Sequence, residues 1–239
     1  MKAVMRELAQ AKRHYSRLPL HEFLRNESIA ARDRLAFLPC VAPLVLALTD
    51  FNRQLLRDES ARDPWQRVVN EHVRDDDRDW RVFLEDFAKL GFDRSTTAAQ
   101  VMRGWQRDDA RESRLMGARL AQVAHGATPI EKLVIVEALD LTAQVFFTLC
   151  APLAAQIHAE GGPELRWVGQ FHFAPGSSRA LRGLDPRLLE SIALEPVQRV
   201  HCLGLAFRVF DLFADWSAEL HAYAKRALEQ RSRVQLAHG

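Results

Sequence analysis

The sequence has 239 residues, of which 48% are hydrophobic and 27% are charged, so the chain is long enough to bury a substantial core. Its formal net charge of +2 is too close to balance to predict a nucleic-acid partner. The amino-terminal residues are amphipathic and charged, and no apolar run approaches the length of a membrane span. Composition therefore predicts a soluble, cytoplasmic protein with no nucleic-acid and no membrane partner. Three separated cysteines in apolar surroundings, Cys40, Cys150 and Cys202, predict reduced core residues.

Apolar residues recur with helical periodicity along the chain, and no segment shows the alternation that predicts a strand. We therefore predict an all-α fold with a single domain over residues 1–239, an amino-terminal helix over 1–15 and a frayed tail over 230–239. In chain order, the predicted helices cover residues 2–15, 21–26, about 39–55, 64–90, 95–125, 129–159, 164–173 and 186–230, the last with a break near Pro196. Residues 174–185, rich in glycine, proline and serine, predict the clearest loop.

Capping residues mark two of the predicted helix starts. Thr128, Pro129 and Glu131 have the spacing of an N-cap, a first-turn proline and a capping box. Ser95 or Thr96 is expected to cap the preceding helix.

The predicted helix over residues 64–90 carries an acidic residue on its apolar face. That face is formed by residues at spacings of three, four and seven, namely Trp65, Val69, Val73, Trp80, Phe83, Phe87 and Leu90. Asp76 falls on the same face, where a carboxylate must be paired or must line a cavity because burying it alone is very unfavourable. The charges around it also fit a solvated face with local ion pairs. His72, Asp75, Asp76 and Asp79 have one-face spacing, which is compatible with a metal cluster.

The predicted helix over residues 129–159 is apolar nearly all round, which places it in the middle of a bundle. Glu137, Asp140, Gln144 and Thr148 interrupt it at spacings of three or four. This narrow polar stripe is either the solvent-facing side of the helix or the wall of an internal polar cavity.

An aromatic-rich stretch over residues 165–172 ends in His172, just before the predicted loop. A lone histidine in such a place is usually a packed or exposed residue, not a ligand. The chain contains no dinucleotide-binding, phosphate-loop, zinc-hydrolase, nucleophile-elbow or paired-cysteine motif. The residues alone therefore predict no reaction.

Short strings in a fixed order along most of the chain carry a resemblance to a known family. They are His21-Glu22-Phe23-Leu24, Phe37-Leu38-Pro39, Phe51-Asn52-Arg53, Asn70-Glu71-His72, Asp75-Asp76 with Trp80, Phe83-Leu84-Glu85-Asp86-Phe87, Leu90-Gly91 and Val209-Phe210-Asp211-Leu212-Phe213 with Trp216. In their order and spacing they resemble the heme-oxygenase-like superfamily. That group includes thiaminase II (TENA-type) proteins, pyrroloquinoline-quinone synthase and the di-iron oxidases related to the chlamydial death-domain-associating protein. The resemblance implies a heme-oxygenase-like helical bundle.

The di-iron branch of that superfamily has a ligand pattern that this sequence keeps only in part. By resemblance, the conserved glutamates correspond to Glu71 and Glu137, and the late histidine corresponds to His172. The remaining ligand positions hold Arg78, Gly176 and Arg179, which cannot bind iron because arginine stays protonated and glycine has no side chain. Iron or manganese would therefore have to be held by Glu71, Glu137 and His172.

A physical hypothesis follows from this incomplete set. Glu71 and Glu137, if both point inward, would repel one another in a dry cavity unless something neutralises them. Arg78 lies two turns from Glu71, and Arg179 lies in the predicted loop, so guanidinium groups could replace metal charge. Alternatively, Arg78 is a surface residue in an arginine-rich chain.

Three functions remain open at this point. The first is a metal-independent enzyme or small-molecule binder with a polar pocket formed by Glu71, His72, Asp76, Arg78, Glu137, Asp140, His172 and Arg179. The second is an iron-dependent oxidase in which His72, Asp75 or Asp76 substitutes for missing ligands, and heme held by His14, His21 or His172 is a further alternative. The third is a non-catalytic interaction protein. Each of the three is compatible with a homodimer.

Overall fold

The structure is a computed structural model that describes residues 1–74, 79–93, 95, 97–173 and 184–238. Within these ranges every regular element is helical, which confirms the predicted all-α fold. The α-helices are α1 (Lys2–Tyr15), α2 (Pro19–Arg25), α3 (Ala31–Arg34), α4 (Ala42–Phe51), α5 (Pro64–Val73), α6 (Asp79–Lys89), α7 (Ala98–Gln106), α8 (Arg111–Ala124), α9 (Pro129–Ala159), α10 (Pro186–Glu190) and α11 (Pro196–His238). Short 3₁₀ turns lie at Leu38–Cys40, Asp108–Ala110 and Gln170–His172, and a π-helical turn at Asn52–Leu56 extends α4.

Helix α9 is the centre of the bundle, as its nearly uniform apolar composition predicts. It packs against α1, α2, α3, α5 and α11, and it contributes buried residues on several faces, among them Leu133, Ile135, Phe146 and Cys150. The other main contacts join α11 to α8 and α1, and α4 to α8. A helix with so many neighbours fixes the positions of the elements around it.

Local interactions define both ends of α9. At the start, the backbone N–H of Glu131 donates to Thr128 Oγ1, and the backbone N–H of Thr128 donates to Glu131 Oε2 at 2.8 Å. The predicted capping box is therefore confirmed. At the end, Gly161 has a φ of +83°, and the N–H of Gly162 donates to the Ile157 carbonyl, which is the left-handed ending that glycine favours.

Helix α9 has the length of a membrane span, although Glu137 and Asp140 interrupt its apolar sequence. By length and composition this helix is apolar enough to cross a bilayer, because its few polar residues are spread along 31 residues. Most of its apolar stretch is buried by the other helices. The core helix of a bundle and a membrane span share this composition.

Two long predicted helices are each divided in the structure. The segment predicted as one helix over residues 64–90 forms α5 and α6, with residues 75–78 outside the described ranges. The segment predicted over 95–125 forms α7 and α8, and its cap is Thr97, not Ser95 or Thr96. Thr97 exchanges capping-box hydrogen bonds with Gln100. This reciprocal pair places the cap of α7 one or two residues later than predicted.

The last helix is longer than predicted. Instead of ending near residue 230, α11 continues to His238. Arg231 of α11 forms an ion pair with Asp33 of α3, so contacts with the bundle extend beyond the expected end. The predicted break at Pro196 is confirmed, because α10 ends at Glu190 and α11 begins at Pro196.

The three cysteines are buried and none forms a disulfide. Burial raises the thiol pKa of Cys40 to about 12, so the thiol stays protonated and unreactive at neutral pH. The prediction that these residues are reduced members of the core is confirmed.

Candidate functional site

A cavity of about 150 Å³ lies between the helices. Its wall combines side chains of α1, α4, α5, α9 and α11 with the π-helical turn and with the segment over residues 163–173, here called the connecting segment. Six aromatic side chains line it, Tyr15, Phe146, Phe147, Trp167, Phe213 and Trp216, together with aliphatic residues of α4 and α9. Its polar lining consists of Asn52, His72, Asp140, Thr142 and His172. A cavity of this size can hold one aromatic ring.

Two predicted pocket residues meet in the wall of this cavity. Nε2 of His72 on α5 lies 2.8 Å from Oδ2 of Asp140 on α9, and each side chain is about one-quarter exposed or less. A carboxylate at this distance fixes the orientation of the imidazole. His72 also lies in the last turn of α5, where the helix dipole favours positive charge. The pair therefore gives the cavity a group that can exchange a proton.

The prediction that Glu71 points into the bundle is wrong. Gln66, Val69, Asn70 and Val73 form the buried face of α5, and position 71 lies on the opposite side of the helix. Glu71 is accordingly exposed. It does not meet Glu137, so the expected pair of inward carboxylates is absent from the described residues.

Glu137, in contrast, is buried as predicted, with only 6% of its surface exposed. Its Oε2 accepts a hydrogen bond from the backbone N–H of Leu184 at 3.3 Å. Burial, reinforced by the nearby carboxylate of Asp140, raises the pKa of Glu137 to about 7. The side chain is close to half protonated at neutral pH and lies beside the cavity wall, not in it.

His172 lies in the aromatic part of the wall. Its ring centroid is 3.7 Å from that of Phe147, with the planes tilted by 31°, and Trp167 and Phe171 present edges to it. The residue is 5% exposed, and its Nε2 has no hydrogen-bond partner among the described residues. Burial lowers the pKa of His172 to about 3, so the imidazole is neutral at physiological pH.

Trp167 belongs to the same wall and was not predicted as a site residue. It is 5% exposed, and its indole Nε1, like Nε2 of His172, is buried without a protein partner in the described part of the chain. Asp86 of α6 accepts hydrogen bonds from the backbone N–H groups of Arg166 at 2.7 Å and Val168 at 3.1 Å. These bonds hold the connecting segment in an irregular path, so the predicted helix over residues 164–173 is reduced to a 3₁₀ turn.

A signal for this arrangement was present in the sequence. Asp86 lies three residues after Phe83 and four before Leu90, on the apolar face of α6, and it is 1% exposed. A carboxylate on an apolar face needs a partner, which is the argument that singled out Asp76. Burial raises the pKa of Asp86 above its usual value, while hydrogen bonds from the backbone of the connecting segment act in the opposite direction.

The predicted metal ligands do not form a metal centre in the described ranges. Glu71 is exposed, Glu137 accepts from Leu184, and His172 is packed among aromatic rings. Among the residues that the structure describes, no three His, Cys, Asp or Glu side chains come together in a way that could hold a metal ion. The described donor set therefore does not fit a di-iron site.

The other residues named for the pocket lie outside the described ranges. These are Asp76, Arg78 and Arg179, together with Asp75 and Gly176 of the proposed ligand patterns. Their roles remain predictions.

Comparison with known proteins adds no family to this picture, since no protein-family model and no curated protein matches the chain. The geometry of the cavity is therefore the basis for assigning a function.

Proposed function

We propose that this protein binds a small organic molecule in its central cavity without a metal ion, and that its fold is a heme-oxygenase-like bundle. The cavity supports the first part, because about 150 Å³ of space lies against six aromatic side chains in the interior of the protein. A largely apolar, aromatic-lined cavity between helices with a few polar groups in its wall is typical of a ligand site. The all-helical architecture around α9 supports the second part.

The polar groups in the wall fit a binding site better than an accidental packing defect. Empty cavities in proteins are usually apolar, whereas this wall contains the His72–Asp140 pair and His172. The His72–Asp140 pair is able to move a proton to or from a bound molecule, so the same site can support metal-independent acid–base catalysis. The proposal depends on one observation, the coexistence of free volume and polar groups inside an aromatic wall.

Blocking the cavity tests the proposal. Ala143 lines the cavity from α9, and Ala143→Phe should fill much of it. With benzene, toluene, phenol and indole as probes, saturation-transfer NMR should detect binding to the wild-type protein and lose most of that signal in the variant. Ala143→Leu adds less volume, is easier to accommodate, and should cause a partial loss.

Ala155→Phe is the matched control, because Ala155 is an exposed alanine on the same helix. This variant should bind the probes as the wild-type protein does. Absence of binding by all four probes to the folded wild-type protein, or equal binding by the Ala143 and Ala155 variants, would contradict the proposed function.

A further inference from the structure

The cavity wall contains two buried nitrogen atoms whose hydrogen-bonding capacity is unused. Nε1 of Trp167 and Nε2 of His172 are both without a protein partner in the described residues, and both residues line the cavity. Their ring centroids are 5.9 Å apart, so the two groups belong to one region of the wall. In the same wall, Oδ2 of Asp140 lies 2.8 Å from Nε2 of His72 without forming a hydrogen bond in the described residues. The other buried atoms of this kind, Nε2 of His21, Nε of Arg34 and Nη2 of Arg226, belong to residues outside the wall.

Leaving buried polar groups without partners is unfavourable. Native proteins therefore satisfy nearly all of them, and exceptions commonly mark a missing ligand or water molecule. Asp86 holds the backbone on either side of Trp167, and Phe147 stacks on the ring of His172. The two nitrogens are thus fixed in place, as groups that bind a ligand should be.

The chemistry of these groups limits what they can bind. An indole N–H only donates a hydrogen bond, so the ligand must present an acceptor to Trp167. A neutral imidazole can also donate through Nε2, and a carbonyl oxygen has two lone pairs and can accept from both. Because burial keeps His172 neutral, this end of the cavity offers hydrogen bonds without charge.

The rest of the described lining indicates a neutral and flat ligand. It contains no lysine or arginine, and Asp140 already faces His72, so a charged molecule would lose its hydration without a free opposite charge. The aromatic rings of Phe146, Phe147 and Phe213 favour stacking and edge contacts with a planar molecule.

We infer that Trp167 and His172 bind the carbonyl group of a neutral, planar aromatic compound about one ring in size. This inference rests on the proposed function, since it assigns the ligand class of the same cavity. It makes Trp167 and His172 the residues that select a carbonyl compound over a hydrocarbon of equal shape.

Two probes of nearly equal shape test the inference. Acetophenone and α-methylstyrene differ mainly in whether a carbonyl oxygen or a CH₂ group is attached to the same planar skeleton. The measured quantity is the ratio of their Kd values, acetophenone over α-methylstyrene, from NMR titrations of each protein. Trp167→Phe and His172→Phe keep an aromatic ring and remove the nitrogen, and each should raise this ratio about 5- to 10-fold, which corresponds to one lost hydrogen bond.

Phe213→Leu is the control, because Phe213 lines the cavity without a polar atom. It should change both Kd values together and leave their ratio within twofold of the wild-type value. If both probes bind but neither Trp167→Phe nor His172→Phe moves the ratio beyond twofold, the ligand assignment is overturned and the proposed function stands. If neither probe nor benzene binds to the wild-type protein, the proposed function itself fails.

Discussion

Helix α9 and the connecting segment form neighbouring parts of the cavity wall, but they are positioned in different ways. Local interactions define α9, with a capping box at Thr128 and a left-handed glycine at Gly161. The connecting segment has little regular structure and is held by a distant carboxylate, that of Asp86, and by stacked aromatic rings. The regular helix therefore supplies the apolar wall, whereas the irregular segment supplies Trp167 and its unused hydrogen-bond donor.

Removing Asp86 should have the largest effect on the connecting segment. Asp86→Ala leaves the buried N–H groups of Arg166 and Val168 without an acceptor, so the free energy of unfolding should fall by about 3–5 kcal/mol. Chemical denaturation measures the change. Glu85→Ala is the matched control, because Glu85 contacts the same segment through an exposed ion pair with Arg166. Its loss should change stability by less than about 1 kcal/mol, and equal effects of the two variants would refute the anchoring role of Asp86.

Replacing Glu137, the buried acid of α9, should cause the next largest change in the free energy of unfolding. The pKa of Glu137 is about 7 in the folded protein and about 4.5 in the unfolded chain, so the folded state holds this proton more tightly. The contribution of the Glu137 proton to the free energy of unfolding is fully present below pH 4.5 and is lost as the pH rises through about 7. Glu137→Gln keeps an acceptor for Leu184 but cannot ionise, and it should be about 2–3 kcal/mol more stable than the wild-type protein at pH 8.

This stabilisation by Glu137→Gln should be small at pH 5, where Glu137 is protonated in the folded state. Denaturation curves at the two pH values measure the difference. A stability gain of the same size at pH 5 and pH 8 would show that Glu137 is not buried as described. Asp140, His72 and Lys12 also influence this titration, and they are present in both proteins, so the difference isolates Glu137.

The stability contributed by His172, in the connecting segment, should depend on pH in the opposite direction to that of Glu137. The pKa of His172 is about 3 in the folded protein and about 6.5 in the unfolded chain, so the unfolded state binds this proton more tightly. The stability it contributes is complete above pH 6.5 and is lost as the pH falls towards 3. Between pH 7 and pH 5 the wild-type protein should therefore lose about 2 kcal/mol more than His172→Phe. Parallel stability profiles of the two proteins across this range would contradict the burial of His172.

The smallest expected effect concerns the local cap of α9. Thr128→Ala removes the side-chain oxygen of the capping box and should lower the free energy of unfolding by about 1 kcal/mol. Thr148→Ala, at an exposed position on the same helix, should change it by less than about 0.5 kcal/mol. If Thr128→Ala is as neutral as Thr148→Ala, packing and not the cap determines where α9 begins.

The sequence predicts the parts of this structure that depend on local patterns. The bounds of α1, the capping box of α9 and the apolar faces of α5 and α6 follow from spacing and capping chemistry. It also places His72 and Asp140 among the pocket residues, since both lie on or beside an apolar helical face.

The remaining features depend on contacts between distant residues. The inward position predicted for Glu71 came from the family resemblance and was wrong. On helix α5, residue 71 lies opposite the buried Val69 and Val73, so its side chain is exposed. The apolar-face position of Asp86 indicates that its carboxylate needs a partner, but Arg166 lies 80 residues later, so no local pattern could identify that partner or the path of the connecting segment. Trp167 was missed for the same reason, because its role follows from that path.

The most direct measurement is a crystal structure of the protein with acetophenone bound. We expect the ring between α4 and α9, stacked among the aromatic side chains, with its carbonyl oxygen about 2.8–3.2 Å from Nε1 of Trp167 or Nε2 of His172. A cavity filled by protein side chains, or a ligand bound only at the surface, would contradict it.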